Sequence, residues 1–358
     1  MGFFALLSFV LPQQDFSEKE KRYLTAFPEV TAAGLADGTV QTKFEDWFAD
    51  HFPLRDLWVG LDAYFKLAGG RNAQQEVYCA QDGYLIHAPR NGDTKQFVKN
   101  LARFDAFAAS TNLPATVLPV PSPGEINADL LPAGHGDYRN DALYTLAGQT
   151  LKTSVLLDPR EALRAANIAR PVYYHTDHHL TAYGCHRLYQ FWRESQGLAA
   201  LPEPAYTVTA YDGFYGTNWS ASGLWLTAPD TIELWDSGAD VTVTIEDGGA
   251  EPVVSDSMFF SAHLKELDKY SVYLDGNHAL TTIENPSAAG RTLLVIKDSY
   301  AHSFAPFLAD DYQTVYLLDL RFYRGSVSSF VKEHGVDELL YLYGIDTLLT
   351  DSNSAWLM

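Results

Sequence analysis

The sequence reads as an α/β fold: a parallel sheet covered by helices on both faces, interrupted by a β-rich insertion. Three observations predict it. The runs Ala115–Val120, Thr292–Ile296, Thr314–Leu318 and Glu338–Tyr343 are apolar at nearly every position rather than alternating, as in strands buried on both sides. Helical patterns, not tight turns, lie between most of them. A chain of 358 residues with 47% hydrophobic content is also large enough to bury a full core.

Taken in order, residues 1–12 (MGFFALLSFVLP) are apolar but shorter than the roughly 20 residues that span a bilayer. They lack the basic start and small-residue cleavage site of a complete signal peptide. Two readings follow: a truncated signal anchor, which the polar spacer after it favours, or an apolar segment docked on the core. The anchor reading sets the protein to work outside the cytoplasm, membrane-anchored or secreted. Residues 13–75 form an N-terminal helical segment. Ser17 followed by Glu20 has capping-box spacing and predicts a helix over 17–24. Phe44, Trp47, Phe48, Leu57, Leu61, Tyr64 and Phe65 recur at helical spacings, broken at His51-Phe52-Pro53, and read as core. Residues 76–358 form the main domain. Val77–Ile86 reads as a hairpin turning at Asp82-Gly83. Helices are expected over 96–109, 141–151, 159–166 and 181–194, the last capped by Thr181, and a short strand over 154–157. From about 205 to 285 the runs Gly213–Thr217, Thr231–Trp235 and Val241–Ile245 alternate or cluster like antiparallel strands. This is either a β-rich insertion or an edge extension of the main sheet. A helix is expected over 301–308.

Composition excludes several functions. The formal charge of −20 repels nucleic acid phosphates. It also disfavours strongly anionic substrates at long range while keeping the chain soluble. Cys79 and Cys185 are too few for a disulfide framework or a zinc site; two free buried thiols are the simpler expectation, one disulfide the alternative.

Two strings carry chemistry: Tyr174-His175-Thr176-Asp177-His178-His179-Leu180-Thr181 and Lys297-Asp298-Ser299-Tyr300. Ser299 falls where an apolar strand gives way to a helix, the edge at which doubly wound sheets place their sites. A serine there serves as a helix cap or as a nucleophile beside unpaired backbone N–H groups. A serine nucleophile needs a base, and the base needs a carboxylate to hold its tautomer. Asp177 and His179, two residues apart ahead of a helix, supply both. A competing reading takes His175, Asp177, His179 and His186 as a nitrogen and oxygen metal-ligand set.

TDHHLT, followed by LLVIKDSYAHSFAPFL and VYLLDLRFY, resembles the DHHW proteins of bacteria. These are similar to the periplasmic alginate O-acetyltransferases of the AlgJ and AlgX group and, through them, to SGNH hydrolases. Phe52-Pro53-Leu54-Arg55, Asp82-Gly83-Tyr84-Leu85, Pro229-Asp230-Thr231-Ile232 and Asp268-Lys269-Tyr270 extend the resemblance. It implies an SGNH-hydrolase-like three-layer α/β/α domain with Ser299, His179 and Asp177 as a triad, the Asp/His pair preceding the serine. It also implies extracytoplasmic acetyl transfer to an exported or cell-surface polysaccharide, without cofactor or metal, through an acetyl-serine. A membrane-bound O-acyltransferase would be the acetyl-donating partner. Carbohydrate acetylesterase and non-catalytic glycan scaffold are the alternatives. Tyr300, Arg321 and His178 are candidate substrate contacts, with an ion pair the rival role for Arg321. Oxyanion donors are sought at the Ser299 N–H and on the loop 121–127. The tryptophan that ends the family motif is Leu180 here, so an aromatic packing on the site or on a sugar would be missing.

Overall fold

The computed structural model describes residues 7–90, 92–249 and 251–357. Its main sheet uses strands β1 (Ala115–Val120), β2 (Val155–Leu156), β3 (Thr242–Glu246), β4 (Val253–Ser255), β5 (Leu280–Glu284), β6 (Thr292–Lys297), β7 (Thr314–Leu318) and β8 (Glu338–Gly344). Their order is β4-β3-β5-β7-β6-β8-β1-β2. The five strands from β7 to β2 are parallel, and β5, β3 and β4 continue the sheet antiparallel.

The two-residue period of a strand explains the doubly apolar runs. Leu293 and Val295 of β6 enter one core with Leu340 and Leu342 of β8, while Leu294 and Ile296 enter a second core with Leu339 and Tyr341. Helix α1 (Thr94–Thr111) and helix α2 (Asn140–Thr150) cover the second face. Helix α3 (Arg160–Ala169) and helix α4 (Ala182–Ser195) cover the first. The result is three layers, helix–sheet–helix, as the sequence implies. Thr181 caps α4, its hydroxyl accepting from Gly184 N–H at 3.0 Å.

The segment 205–285 takes both forms that its pattern allowed. Strands β3, β4 and β5 extend the main sheet, whereas Thr207–Phe214 and Asp230–Asp236 pair as a separate antiparallel ribbon; the strand expected over 213–217 lies earlier, ending at Phe214, and Thr217 opens a short helix.

Several expectations are corrected. Residues 17–24 form no helix: Phe16–Ser17 and Arg22–Tyr23 pair as a short hairpin. The Glu20 N–H still donates to Ser17 Oγ at 3.3 Å, so the cap-like bond exists within a turn. The N-terminal apolar residues are only partly core. Trp47 is fully buried, but Leu57, Leu61 and Phe65 are exposed on helices Thr39–Asp50 and Arg55–Ala68. These helices dock on the β-rich region through Trp225, whose Nε1–H donates to Asp56 O at 2.9 Å. After β6 the chain forms a 3-10 turn (Ser299–Ala301) and a separate short helix (Ala305–Leu308) instead of one helix.

Of the apolar segment 1–12, residues 1–6 lie outside the described residues and 7–10 are helical. No helix among the described residues is long and apolar enough to cross a membrane. Cys79 and Cys185 are both free; Cys79 is exposed, not buried.

Candidate active site

Ser299 sits at the carboxyl end of β6, between the carboxyl ends of β7 and β8. Asp298 shapes the turn that presents it. Its Oδ1 accepts from Tyr300 N–H at 3.0 Å and its Oδ2 from Gly344 N–H at 2.9 Å, tying the turn to the end of β8. Burial pushes the Asp298 carboxyl above its ordinary value despite these bonds. Lys297 is buried in the opposite direction, paired with Asp319 (3.3 Å) and donating to His302 Nε2 (2.8 Å). The Ser299 side chain itself is half-buried.

The Asp177–His179 loop meets it from the layer above. His179 Nε2 lies 2.9 Å from Ser299 Oγ, across 120 residues of sequence. On the other side of the ring, Nδ1–H donates to Asp177 Oδ1 at 2.5 Å, and the same oxygen accepts from His179 N–H at 2.9 Å. An Nδ1–H held by a carboxylate leaves Nε2 as the acceptor, so the serine hydroxyl donates to it. Asp177 Oδ2 accepts from Thr217 N–H (2.6 Å) and Thr217 Oγ1–H (2.9 Å). Asp177 is fully buried. Burial alone would raise its carboxyl, but attraction to His179 and the hydrogen bond with it hold the group well below the usual carboxylate range.

The loop is clamped from outside. Asp230 accepts from His175 N–H (2.8 Å), Thr176 N–H (2.8 Å) and Thr176 Oγ1–H (2.6 Å). Thr176 Oγ1 in turn accepts from Gly216 N–H at 3.0 Å. Gly216 is required by proximity: a Cβ there would stand 2.2 Å from Asp177 Cβ. Asp230 belongs to a string noted in the sequence without a role, and Thr217 to a run read only as a strand. Both act through contacts that only the fold creates.

The other sequence candidates are placed as follows. His178 is half-buried beside the base, its ring centroid 3.9 Å from that of His179 and its Nδ1 bonded to Thr217 Oγ1 at 2.7 Å. Burial above all pushes it well below its ordinary range, so it stays neutral. Tyr300 is buried; its edge faces His179 and its hydroxyl donates to His178 O at 2.9 Å. Arg321 follows β7, one strand over, and forks onto Asp319 through Nε (2.9 Å) and Nη2 (2.6 Å), with Asn277 Oδ1 as a further acceptor. Its donors thus serve an internal ion pair. In the loop 121–127, Ser122 Oγ–H donates to Asp346 at 2.8 Å and Tyr173 donates to Pro121 O.

The four-residue metal set is not assembled. His175 lies on Asp230 and Tyr84, and His186 bonds Leu201 O beside Trp235. Asp177, His178 and His179 do have donor atoms within 4.8 Å of one another, but the Asp177–His179 hydrogen bond occupies the facing pair. Leu180 is buried at 1% exposure in the core beside Leu118 and Tyr173. The position that carries the family tryptophan therefore points into the core here, not toward a substrate.

Comparison with known proteins places the fold and the segment that carries these residues. The sequence model of the DHHW protein family matches residues 160–318. Asp177, His179 and Ser299 all lie inside the matched segment. Among solved structures, a DHHW family protein from Eubacterium siraeum matches with a TM-score of 0.67 at 21% identity, over 79% of this chain and 95% of that one. PatB1 from Bacillus cereus matches with a TM-score of 0.64 at 17% identity, over 76% and 97%. The O-acetyltransferase domain of Pseudomonas putida AlgJ is a looser match, with a TM-score of 0.49 at 16% identity over 78% and 96%. The first two of these likenesses establish a shared fold. No curated protein matches the sequence.

Proposed function

We propose that the protein is an extracytoplasmic O-acetyltransferase that modifies an exported or cell-surface polysaccharide through Ser299, His179 and Asp177. One observation carries the reading: an Asp–His–Ser relay with hydrogen bonds of 2.5 and 2.9 Å, set at the carboxyl edge of a parallel sheet. The resemblance to the periplasmic alginate O-acetyltransferases supports both the choice of acyl group and work outside the cytoplasm. The catalytic unit in this reading is residues 76–358, with 13–75 as an N-terminal arm and a membrane-bound O-acyltransferase as acetyl-supplying partner.

The chemistry is a two-step transfer. Ser299 Oγ attacks the acetyl carbonyl carbon as its proton passes to His179 Nε2. The bond from that carbon to the donor heteroatom breaks, and His179 returns the proton to the departing group, leaving acetyl-Ser299. A sugar hydroxyl then attacks the acetyl carbon, giving its proton to His179. Ser299 Oγ leaves and takes that proton back. Asp177 stays ionised throughout and stabilises the imidazolium. His178 stands beside the reacting atoms, where a neutral ring can contact the acceptor without opposing the charge on His179.

Incubation with a chromogenic acetyl ester, with and without an oligosaccharide acceptor, tests this reading by mass spectrometry of the products. Acetylated acceptor, lost in Ser299→Ala, is the expected result. Ester cleavage without transfer would instead mark an acetylesterase. No turnover, unchanged by Ser299→Ala, would mark a non-catalytic scaffold. A sulfonyl reagent is a second probe, since the Bacillus cereus PatB1 structure has also been solved with a sulfonyl adduct.

A further inference from the structure

Tyr270 is absorbed by none of the steps above, yet it contacts both the base and the nucleophile's turn. Its ring lies flat against the His179 imidazole, with centroids 3.8 Å apart and planes 10° from parallel. Its hydroxyl donates to Ser299 O at 3.0 Å and lies 2.9 Å from Ser303 Oγ. Ser303 Oγ is 3.1 Å from Cys185 Sγ. A single direction of donation satisfies the whole row: Cys185 S–H to Ser303, Ser303 O–H to Tyr270, Tyr270 O–H to the carbonyl of Ser299. Burial raises both the Cys185 thiol, to about 12, and the Tyr270 phenol, so every member stays protonated and neutral. The backbone is also held, with Tyr270 N–H donating to Asp268 Oδ1 at 3.1 Å, and Asp268 pairs with Lys21 of the N-terminal hairpin.

We infer that Tyr270 is a positioning residue that fixes the plane of the His179 ring, offers its π face to the imidazolium formed during acyl transfer, and ties that ring to the Ser299 turn. This rests on the acyl-transfer reading of the triad. The electrostatic surroundings make the face matter. The charged group bonded to His179 is Asp177, which lies at the ring edge. His178 beside the ring and His302 beyond Tyr270 are both pushed toward the neutral form, first by burial. Tyr300 is a neutral phenol, and Lys21 acts on Asp177. In so dry a place an aromatic face stabilises a cation more than it does at an exposed site.

Two replacements at position 270 separate the face from the hydroxyl. Phenylalanine keeps the ring and loses the tie to Ser299. A ring-trifluorinated phenylalanine keeps nearly the same shape with a depleted π face. The readout is the rate of Ser299 labelling by phenylmethanesulfonyl fluoride across pH, which requires no knowledge of the acceptor. With phenylalanine, labelling slows about tenfold, the equivalent of one lost hydrogen bond to a reacting loop, and the acidic limb of the profile stays in place. With the fluorinated ring the imidazolium is less stable, so the limb moves to lower pH by about half a unit relative to phenylalanine. NMR titration of the His179 ring protons reads the same displacement without turnover. Coincident limbs and titrations for the two rings would overturn the role of the face. Undiminished labelling with phenylalanine would overturn the tie. If the unaltered protein is not labelled at all, the acyl-transfer reading fails, while the NMR comparison still decides the role of Tyr270.

Discussion

Asp177 shows how much of this site rests on residues that do no chemistry. Its two oxygens accept four hydrogen bonds, two from His179 and two from Thr217, so its rotamer is fully determined before any substrate arrives. Gly216 makes that arrangement possible by leaving room for the carboxylate. Gly216→Ala forces a contact of 2.2 Å onto Asp177 Cβ, and relief requires the aspartate loop to move. Since a displacement of about 1 Å costs on the order of a hundredfold in rate, the variant should lose about that factor in ester turnover. Its stability should fall by only about 1–3 kcal/mol, read as a urea midpoint. Turnover close to that of the unaltered protein would show that the loop tolerates the shift. The pair Asp177–His179 was legible in the sequence because acid and base lie on one short loop. Tyr270, Thr217 and Asp230 were not, because their roles exist only once distant segments converge on positions 177–179.

Among the elements, the strands were the easiest to read. β6, β7 and β8 are apolar on both faces, and only a buried parallel strand explains that pattern. The hairpin at Phe16–Tyr23 was misread because a capping box is a local bond. The Ser17–Glu20 contact forms equally well in a tight turn, and pairing with Arg22–Tyr23 decided the outcome. That hairpin is anchored by charge. Arg22 Nη1–H donates to Asp50 Oδ2 at 3.0 Å, joined on that oxygen by Thr25 N–H at 2.8 Å and Thr25 Oγ1–H at 2.9 Å. Burial alone would raise the Asp50 carboxyl; Arg22 and Thr25 hold it far below its ordinary value. A depressed carboxylate contributes stability above its unfolded value of about 3.9 and loses it as pH falls through the lower folded value. Asp50→Asn should therefore lower the urea midpoint at pH 7, and the gap to the unaltered protein should narrow below about pH 4. A gap constant across that range would assign the effect to packing.

At the scale of the whole molecule, the formal charge of −20 sets what approaches the site. An anionic acceptor meets net repulsion that salt screens, with a Debye length near 10 Å at 0.1 M. Raising salt from about 20 to 200 mM should lower KM several-fold for an acidic oligosaccharide while leaving labelling by a neutral sulfonyl reagent unchanged. Equal salt responses would place the effect in the enzyme rather than in the encounter. The overall three-layer architecture was readable from hydrophobic pattern, but the strand order was not, since nothing local in β8 announces that it lies between β6 and β1. That order has a consequence for the birth of the protein. β1 at Ala115–Val120 and β6 at Thr292–Lys297 share no edge until Glu338–Gly344 is inserted between them. A ribosome that has delivered the nucleophile and its base has still not delivered the strand that joins the two halves of the sheet. Completion of the sheet therefore waits on this last buried strand, and with it the fixing of the nucleophile's turn, which Asp298 ties to Gly344.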